Sequence, residues 1–434
     1  MTRSRDGTGL AELARSDTGK AAGMAGAVMA GNILALGFTV VFARKLGQTG
    51  YGSLGALISA YIILMVPGSA LQTTVAREIS AQFAAEDPEA GAGVRRWLRG
   101  LALVTVVLTL AAVLARDLLA AAIGVDDLPW AAAATVPSGC LWLILSIQRG
   151  ALQGFGAYRA VGASWVGEQL ARFVFAFLLV GLGASVTGAY LGTPLGLLAV
   201  ALALLVPLNR LLPHAEPHEH PLRELMVRAG GPVAALALVA WMQDGNVIIV
   251  KHIASGPQAG AYNAAAVAAK AIMWIAVGLG LYLVPETARR AHLRETASGV
   301  LARTLGLIAL AAAPMVLLFA VAAEPLLRLT FKFTGGAGAL PLLGVALSCL
   351  AGTYLAVQYH LALHRWRFIG VLAVAAVVQP VVISAIGPNL RQIAVGLLAL
   401  NAALAVAMLA LAFRAVSHGE PPLEDAQPAL GEIA

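Results

Sequence analysis

Charge is scarce in this chain. Asp, Glu, Lys and Arg make up 12% of its 434 residues, about half the share found in an ordinary soluble chain. With 59% hydrophobic residues and a mean hydropathy of +0.83, a bilayer is the solvent it suits. Cysteine is nearly missing as well. Cys140 and Cys349 both sit inside apolar runs, which excludes a disulfide scaffold and reads as small packing residues. The common catalytic signatures are absent too: there is no His-Glu-x-x-His, no Gly-x-Ser-x-Gly and no Walker-type phosphate loop. The net charge of +7 requires no nucleic acid, because a cationic bias on cytoplasmic loops accounts for it.

What the chain does have is apolar runs. Twelve reach the length of about 20 residues that a bilayer needs. They cover 21–41, 53–75, 98–115, 130–147, 163–182, 187–207, 231–250, 261–284, 302–321, 340–359, 369–386 and 393–413. The expected fold is therefore an all-α integral membrane protein of about twelve transmembrane helices in two parallel six-helix lobes. The expected divisions are a cytoplasmic segment 1–20, an N-lobe 21–207, a linker 208–228, a C-lobe 229–416 and a disordered acidic tail 417–434. The linker carries His214, His218 and His220 among prolines and acids. Three imidazoles are metal ligands in principle, but no Cys or ordered scaffold accompanies them, so the stretch reads as a polar connection.

The 29 cations divide unevenly. Twenty fall on the amino terminus, the even-numbered connections and the end of the last span, among them Arg77, Arg95, Arg96, Arg99, Arg149, Arg159, Arg289 and Arg290. Seven fall on the other side: Arg44, Lys45, Arg116, Lys251, Arg328, Lys332 and Arg391. Arg172 and Lys270 lie inside spans. The positive-inside rule then places both termini in the cytoplasm of a multi-pass cell-membrane protein.

The chain also repeats itself. Stretch 40–78 places a Gly-rich turn, Gly47 to Gly52, between two apolar helices and closes on Glu78. Stretch 249–286 does the same. Gly47 corresponds to Gly256 (256 − 47 = 209), Gly52 to Gly260 and Glu78 to Glu286 (both 208). Further on, Cys140 corresponds to Cys349 and Gln148 to Gln358. Six spans separate the copies, so both enter the membrane in one orientation.

Charges inside spans are costly, about 2.5–3.5 kcal/mol each at a helix centre, so each should face protein or a watery cavity. Glu168 and Arg172 lie four apart on the fifth span, where they partly neutralise each other. Asp244 sits in a polar break, Trp241-Met242-Gln243-Asp244-Gly245-Asn246, of the seventh span, and Lys270 near the middle of the eighth. Two readings stand: structural pairs, Glu168 with Arg172 and Asp244 with Lys270, or a polar cavity whose cations meet an anionic substrate. None of the four is duplicated by the repeat. Arg172 corresponds to Pro380 and Lys270 to Ile62 (each 208), which suits a site more than architecture. The acidic pair Asp126-Asp127 reads as a solvated loop. Asn32, Gln72, Gln148, Gln358, His360, Gln379 and Asn401 read as interhelical hydrogen bonds.

Taken together, Ala43-Arg44-Lys45-Leu46-Gly47 with Tyr51-Gly52, the helix end Arg77-Glu78, Asp244, the turn Gly256-Pro257 and Tyr262 resemble the polysaccharide-flippase branch of the multidrug/oligosaccharidyl-lipid/polysaccharide (MOP) exporter superfamily. The resemblance covers roughly 21–413. It implies a two-lobed bundle that flips sugar units carried on polyprenyl diphosphate by alternating access, for cell-surface polysaccharide biosynthesis. On that reading Arg172 and Lys270 meet the diphosphate or an anionic sugar, with Glu168 and Asp244 as counter-charges or cation-coupling groups. The expected partners are the lipid-linked oligosaccharide, membrane lipids and the polymerase and glycosyltransferases of the same assembly line. No cofactor, metal or nucleic acid is implied, and no enzymatic activity. A multidrug or small-solute/cation antiporter of the same fold is the alternative, with Asp244 or Glu168 binding the ion. A membrane glycosyltransferase is disfavoured by the short external loops.

The topology has a direct check. Cysteines introduced at Ser185 and Gln258 are expected to react with an impermeant reagent added outside sealed cells. One at His218 is expected to stay unlabelled; labelling there inverts the orientation.

Overall fold

The computed structural model describes residues 17–85, 87, 90–213, 222–293 and 298–417. His214, His218 and His220 and the acidic tail lie outside them. The described residues fold into helices joined by short turns, without a strand. In chain order these are α1 (Asp17–Ala84), α2 (Gly93–Leu114), α3 (Arg116–Ile123), α4 (Pro129–Ala133), α5 (Thr135–Gly154), α6 (Tyr158–Gly181), α7 (Ser185–Leu211) and α8 (Leu222–Ala240). A single π-helical turn, Trp241–Gly245, leads on to α9 (Asn246–Ile253). Then come α10 (Gly256–His292), α11 (Ser298–Phe331), α12 (Leu340–Ala362), α13 (Phe368–Ile386) and α14 (Leu390–Ser417).

Eleven of the described helical stretches are long and apolar enough to cross a membrane. One of them is double. α1 breaks at Gly47, with φ 70° and ψ −177°, a backbone state that only glycine adopts without strain. The first and second expected spans are its two limbs. Several helices outrun their apolar cores. α10 continues to His292 and α11 to Phe331, and the overhangs carry local ion pairs: Arg289 and Arg290 with Glu286, and Arg328 with Glu324. Hydropathy sees where a span is greasy, whereas backbone hydrogen bonding carries the helix on into the polar boundary.

Burial is arranged for lipid. On α2, Leu103, Val107, Leu110 and Leu114 form an exposed stripe at 4-, 3- and 4-residue intervals, while Val94, Trp97 and Ala112 face inward. Polar residues go the other way: Gln148, Arg149, Glu168, Asp244, Lys270, Gln379 and Asn401 are all buried. Several amides tie helices together. Gln148 donates to Ala201 O at 2.9 Å, Asn401 to Ala346 O at 3.2 Å and Gln72 to Gln153 at 3.2 Å. Gln358 instead bonds within its own helix, to Tyr354 OH at 2.6 Å.

The backbone divides into two compact units. One contains the described residues up to Val233 together with Ser255–Gly260; the other contains Ala234–Ala254 and the described residues from Ala261 onward. In the first, α5 is central, with α1, α2 and α7 packed on it; in the second, α12 is central, with α11 and α14 packed on it. α5 and α12 hold the repeat partners Cys140 and Cys349, both free thiols. The first unit also brings the two repeat-related turns onto each other. A Cβ at Gly260 would lie 1.8 Å from Gln48 O, one at Gly52 2.8 Å from Gly260 N, and one at Gly256 2.5 Å from Thr49 Cγ2. At Gly52 and Gly260 no side chain fits because two backbones touch.

Gly260→Ala is therefore expected to overpack the turn pair and destabilise the fold by about 1–3 kcal/mol, read as a lower thermal midpoint in detergent. Gly278→Ala, in a position with nothing within 4 Å, is expected to leave the midpoint unchanged or raise it slightly, since alanine is the better helix former.

Candidate functional site

The first unit builds its polar centre from α1, α5 and α6. Arg149 on α5 is fully buried and reaches across to α6. Its Nη2 donates to Glu168 Oε2 at 2.8 Å and to Ser164 O at 3.0 Å, and its Nε to Ser164 Oγ at 2.8 Å. Two indoles flank the guanidinium, with Cζ 4.3 Å from the Trp165 centroid and 5.4 Å from Trp142. A charge this well bonded is the form in which a buried ion pair persists.

That pair uses up Glu168. Arg172, one turn further along α6, makes no ion pair among the described residues. Its guanidinium lies instead over the Phe38 ring at 4.1 Å, beside the Phe38, Phe42 and Phe173 cluster. Its backbone is clasped by α7, where a Cβ at Gly196 would lie 2.7 Å from Arg172 N. The centre thus holds two guanidiniums to one carboxylate. It also holds buried donors without acceptors: Arg172 Nε, Arg149 Nη1, Tyr61 OH, Trp142 Nε1 and Ser146 Oγ. Tyr61 and Trp142 meet edge to face at 6.5 Å, Trp142 and Trp165 at 5.9 Å, so these donors belong to one cluster. Gln169 Oε1 is an unpartnered acceptor at its edge. Such a centre has the composition to bind an acceptor-rich anion.

The second unit builds its centre around the π-helical turn. The extra residue there frees main-chain groups that side chains then satisfy. Met242 O accepts from Asn246 Nδ2 at 3.2 Å and from Gln379 Nε2 at 3.2 Å, and Gln243 O from Asn246 Nδ2 at 2.9 Å. Asn246 Oδ1 in turn accepts from Tyr262 OH at 3.0 Å, and Trp241 Nε1 donates to Ala376 O at 3.0 Å. Asp244, fully buried, receives Lys270 Nζ on Oδ1 at 2.5 Å and Gln243 Nε2 on Oδ2 at 3.0 Å. Lys270 also lines a small cavity with Gln243, Asn246, Asn401 and apolar residues, about 10 Å³ in volume, room for about one water.

The sequence-selected charges therefore divide. Asp244 and Lys270 meet as paired; Glu168 and Arg172 do not. The correction has a physical reason: helical spacing puts those two on one face, but a guanidinium from the neighbouring helix satisfies Glu168 with better geometry. Arg149 itself was assigned to a connection and is instead buried inside α5. The signal for it was present in Gly150 and Gly154, four apart, which let the helix continue in close contact with α1. Asp126 and Asp127 are exposed in the loop after α3. Among the described residues no group of three or more His, Cys, Asp or Glu gathers where a metal ion would fit.

Removing one partner of either pair strands the other. Lys270→Met and Arg149→Met are each expected to cost about 3–5 kcal/mol and to lower membrane abundance sharply. Lys270→Met with Asp244→Leu is expected to recover most of the abundance. Recovery by Arg149→Met with Glu168→Leu is expected to be weaker, because Arg149 also holds Ser164 and both indoles.

Comparison with known proteins follows the same lines. The family model for polysaccharide biosynthesis proteins matches residues 20–289. No curated protein matches the chain. Among solved structures, an inward-facing multidrug resistance MATE family transporter of the MOP superfamily superposes with TM-score 0.77 at 13% identity, covering 89% of this chain and 95% of its own. An outward-facing one gives TM-score 0.66 at 15% identity, covering 94% and 98%. A MOP superfamily transporter from Pyrococcus furiosus Vc1 (DSM3638) gives 0.65 at 14%, covering 94% and 97%. The chain belongs to the polysaccharide biosynthesis protein family and is a multi-pass membrane protein with the fold of MOP superfamily transporters.

Proposed function

We propose that the protein is a cell-membrane transporter that moves a polyprenyl-diphosphate-linked oligosaccharide from the inner to the outer leaflet, for cell-surface polysaccharide biosynthesis. Both termini face the cytoplasm in this reading, and alternating access carries the movement. The observation behind it is Arg172: a half-buried cation whose Nε is buried, with no carboxylate partner among the described residues, set among buried donors that lack acceptors. A diphosphate supplies what that cluster is short of, namely negative charge and several acceptor oxygens in one group. The neighbouring indoles and Tyr61 suit sugar faces, which are apolar on one side and rimmed with hydroxyls. Family membership supports the same substrate class. Lys270 enters as a weaker candidate, since its charge is already matched by Asp244. The partners on this reading are the glycosyltransferases that build the unit and the polymerase that receives it.

A second reading, cation-coupled antiport of a drug or small solute, draws on one feature. Asp244 sits at a π-helical turn beside a cavity of one-water size, a setting in which a carboxylate can exchange Lys270 for a proton or Na⁺.

Deletion of the gene separates the two. Flipping predicts lipid-linked oligosaccharide trapped on the cytoplasmic leaflet and loss of surface polysaccharide. Antiport predicts unchanged polysaccharide and altered drug or solute tolerance. Within the flippase reading, Arg172→Met at matched membrane abundance is expected to cut export at least tenfold, the loss of one charge-assisted bond of about 1.5–3 kcal/mol. Arg172→Lys is expected to keep part of the export, because the charge stays while the planar fork is lost. Full export by Arg172→Met removes Arg172 from the site.

A further inference from the structure

Away from that centre, the first unit carries a second basic feature that the flippase reading leaves unused. A groove of about 440 Å³ opens where the start of α2 comes near the end of α7, lined by Arg95, Leu98, Arg99, Leu205, Asn209 and Leu212. Its polar wall is built rather than loose. Arg95 is half-buried and its Nη2 donates to Leu212 O at 3.4 Å, while Arg99 stands one turn further along the same helix. The start of α2 has no acidic residue in its first turn and no side-chain cap. The positive end of the helix dipole therefore adds to the arginines, with no acid in the first turn to offset it. No carboxylate is among the residues that line the groove.

The other wall decides the ligand. Leu98, Leu205 and Leu212 are apolar, and beyond them both helices present faces meant for lipid: Leu103 and Val107 on α2, Leu202 and Val206 on α7, each at least 55% exposed. A free phosphate uses only the arginines. A molecule with an anionic head and hydrocarbon tails uses the whole groove and the faces below it.

We propose that this groove binds the headgroup of an anionic phospholipid of the surrounding leaflet, its phosphate on Arg95 and Arg99 and its acyl chains along α2 and α7. The bound lipid is a fixed structural neighbour, independent of the substrate flipped elsewhere in the unit. Because α2 and α7 both pack on α5, it bridges two helices around the central one.

The test uses the purified full chain in a neutral detergent, titrated with phosphatidylglycerol and read by native mass spectrometry. The expected result is one retained phosphatidylglycerol per protein, poor retention of phosphatidylcholine, and no displacement by equimolar inorganic phosphate or glycerol phosphate. Arg95→Gln with Arg99→Gln is expected to weaken retention about 30-fold. Arg159→Gln, an exposed cation elsewhere, is expected to leave it unchanged. If the double variant folds poorly, Arg99→Gln alone, whose side chain is exposed, is expected to weaken retention about fivefold. Equal retention of phosphatidylcholine, equal retention by the arginine variants, or displacement by inorganic phosphate overturns the proposal; the last assigns the groove to free phosphate. Loss of surface polysaccharide plays no part in the readout, so the result does not depend on the proposed transport.

Discussion

The Arg149–Glu168 ion pair is the contact on which the first unit depends. A bilayer offers no water to a stray charge, so every buried charge must find its partner within the protein. Arg149 reaches from the central helix, α5, and binds Glu168 at 2.8 Å while two indoles and Ser164 hold the guanidinium in place. This fixes α6 against α5. It also sets the electrostatics of the unit, because the carboxylate that spacing would give to Arg172 is spent elsewhere. The positive charge left over on Arg172 rests on Phe38. Cation–π contact offsets part of the cost of burial, about 2 kcal/mol when the pair is desolvated, and leaves the guanidinium's N–H groups available.

The second unit answers the same constraint in a different way. Asp244 and Lys270 neutralise each other, and the carbonyls loosened by the π-helical turn are taken up by Asn246 and Gln379. Its polar groups are largely spent on one another, whereas the first unit keeps donors in hand. The two units thus differ in electrostatics. The helical glycines Gly52 and Gly260 are places where main chain meets main chain.

Much of this was legible without coordinates. Long apolar runs placed the spans within a few residues, since a helix that must satisfy its own backbone in lipid leaves few other choices. The repeat marked the Gly47 break and the start of α10 at Gly256. The sequence also marked Asp244 as a polar break, though not as a π-helical turn. Arg149 was misplaced because hydropathy ends a span at the first charge, and an arginine whose charge is matched by another helix looks the same as one at a membrane boundary. Only its neighbours Gly150 and Gly154 hinted otherwise.

Composition and periodicity determined that the chain is a helical membrane protein with an internal repeat and four costly charges inside its spans. These follow from local physics: the length of an apolar run and the price of a charge in hydrocarbon depend on the residues themselves. Tertiary structure alone decided which carboxylate each cation holds. Ion pairing falls steeply with distance and angle, and the distance between Arg149 and Glu168 is set by how α5 and α6 pack, a quantity that no spacing along either helix contains.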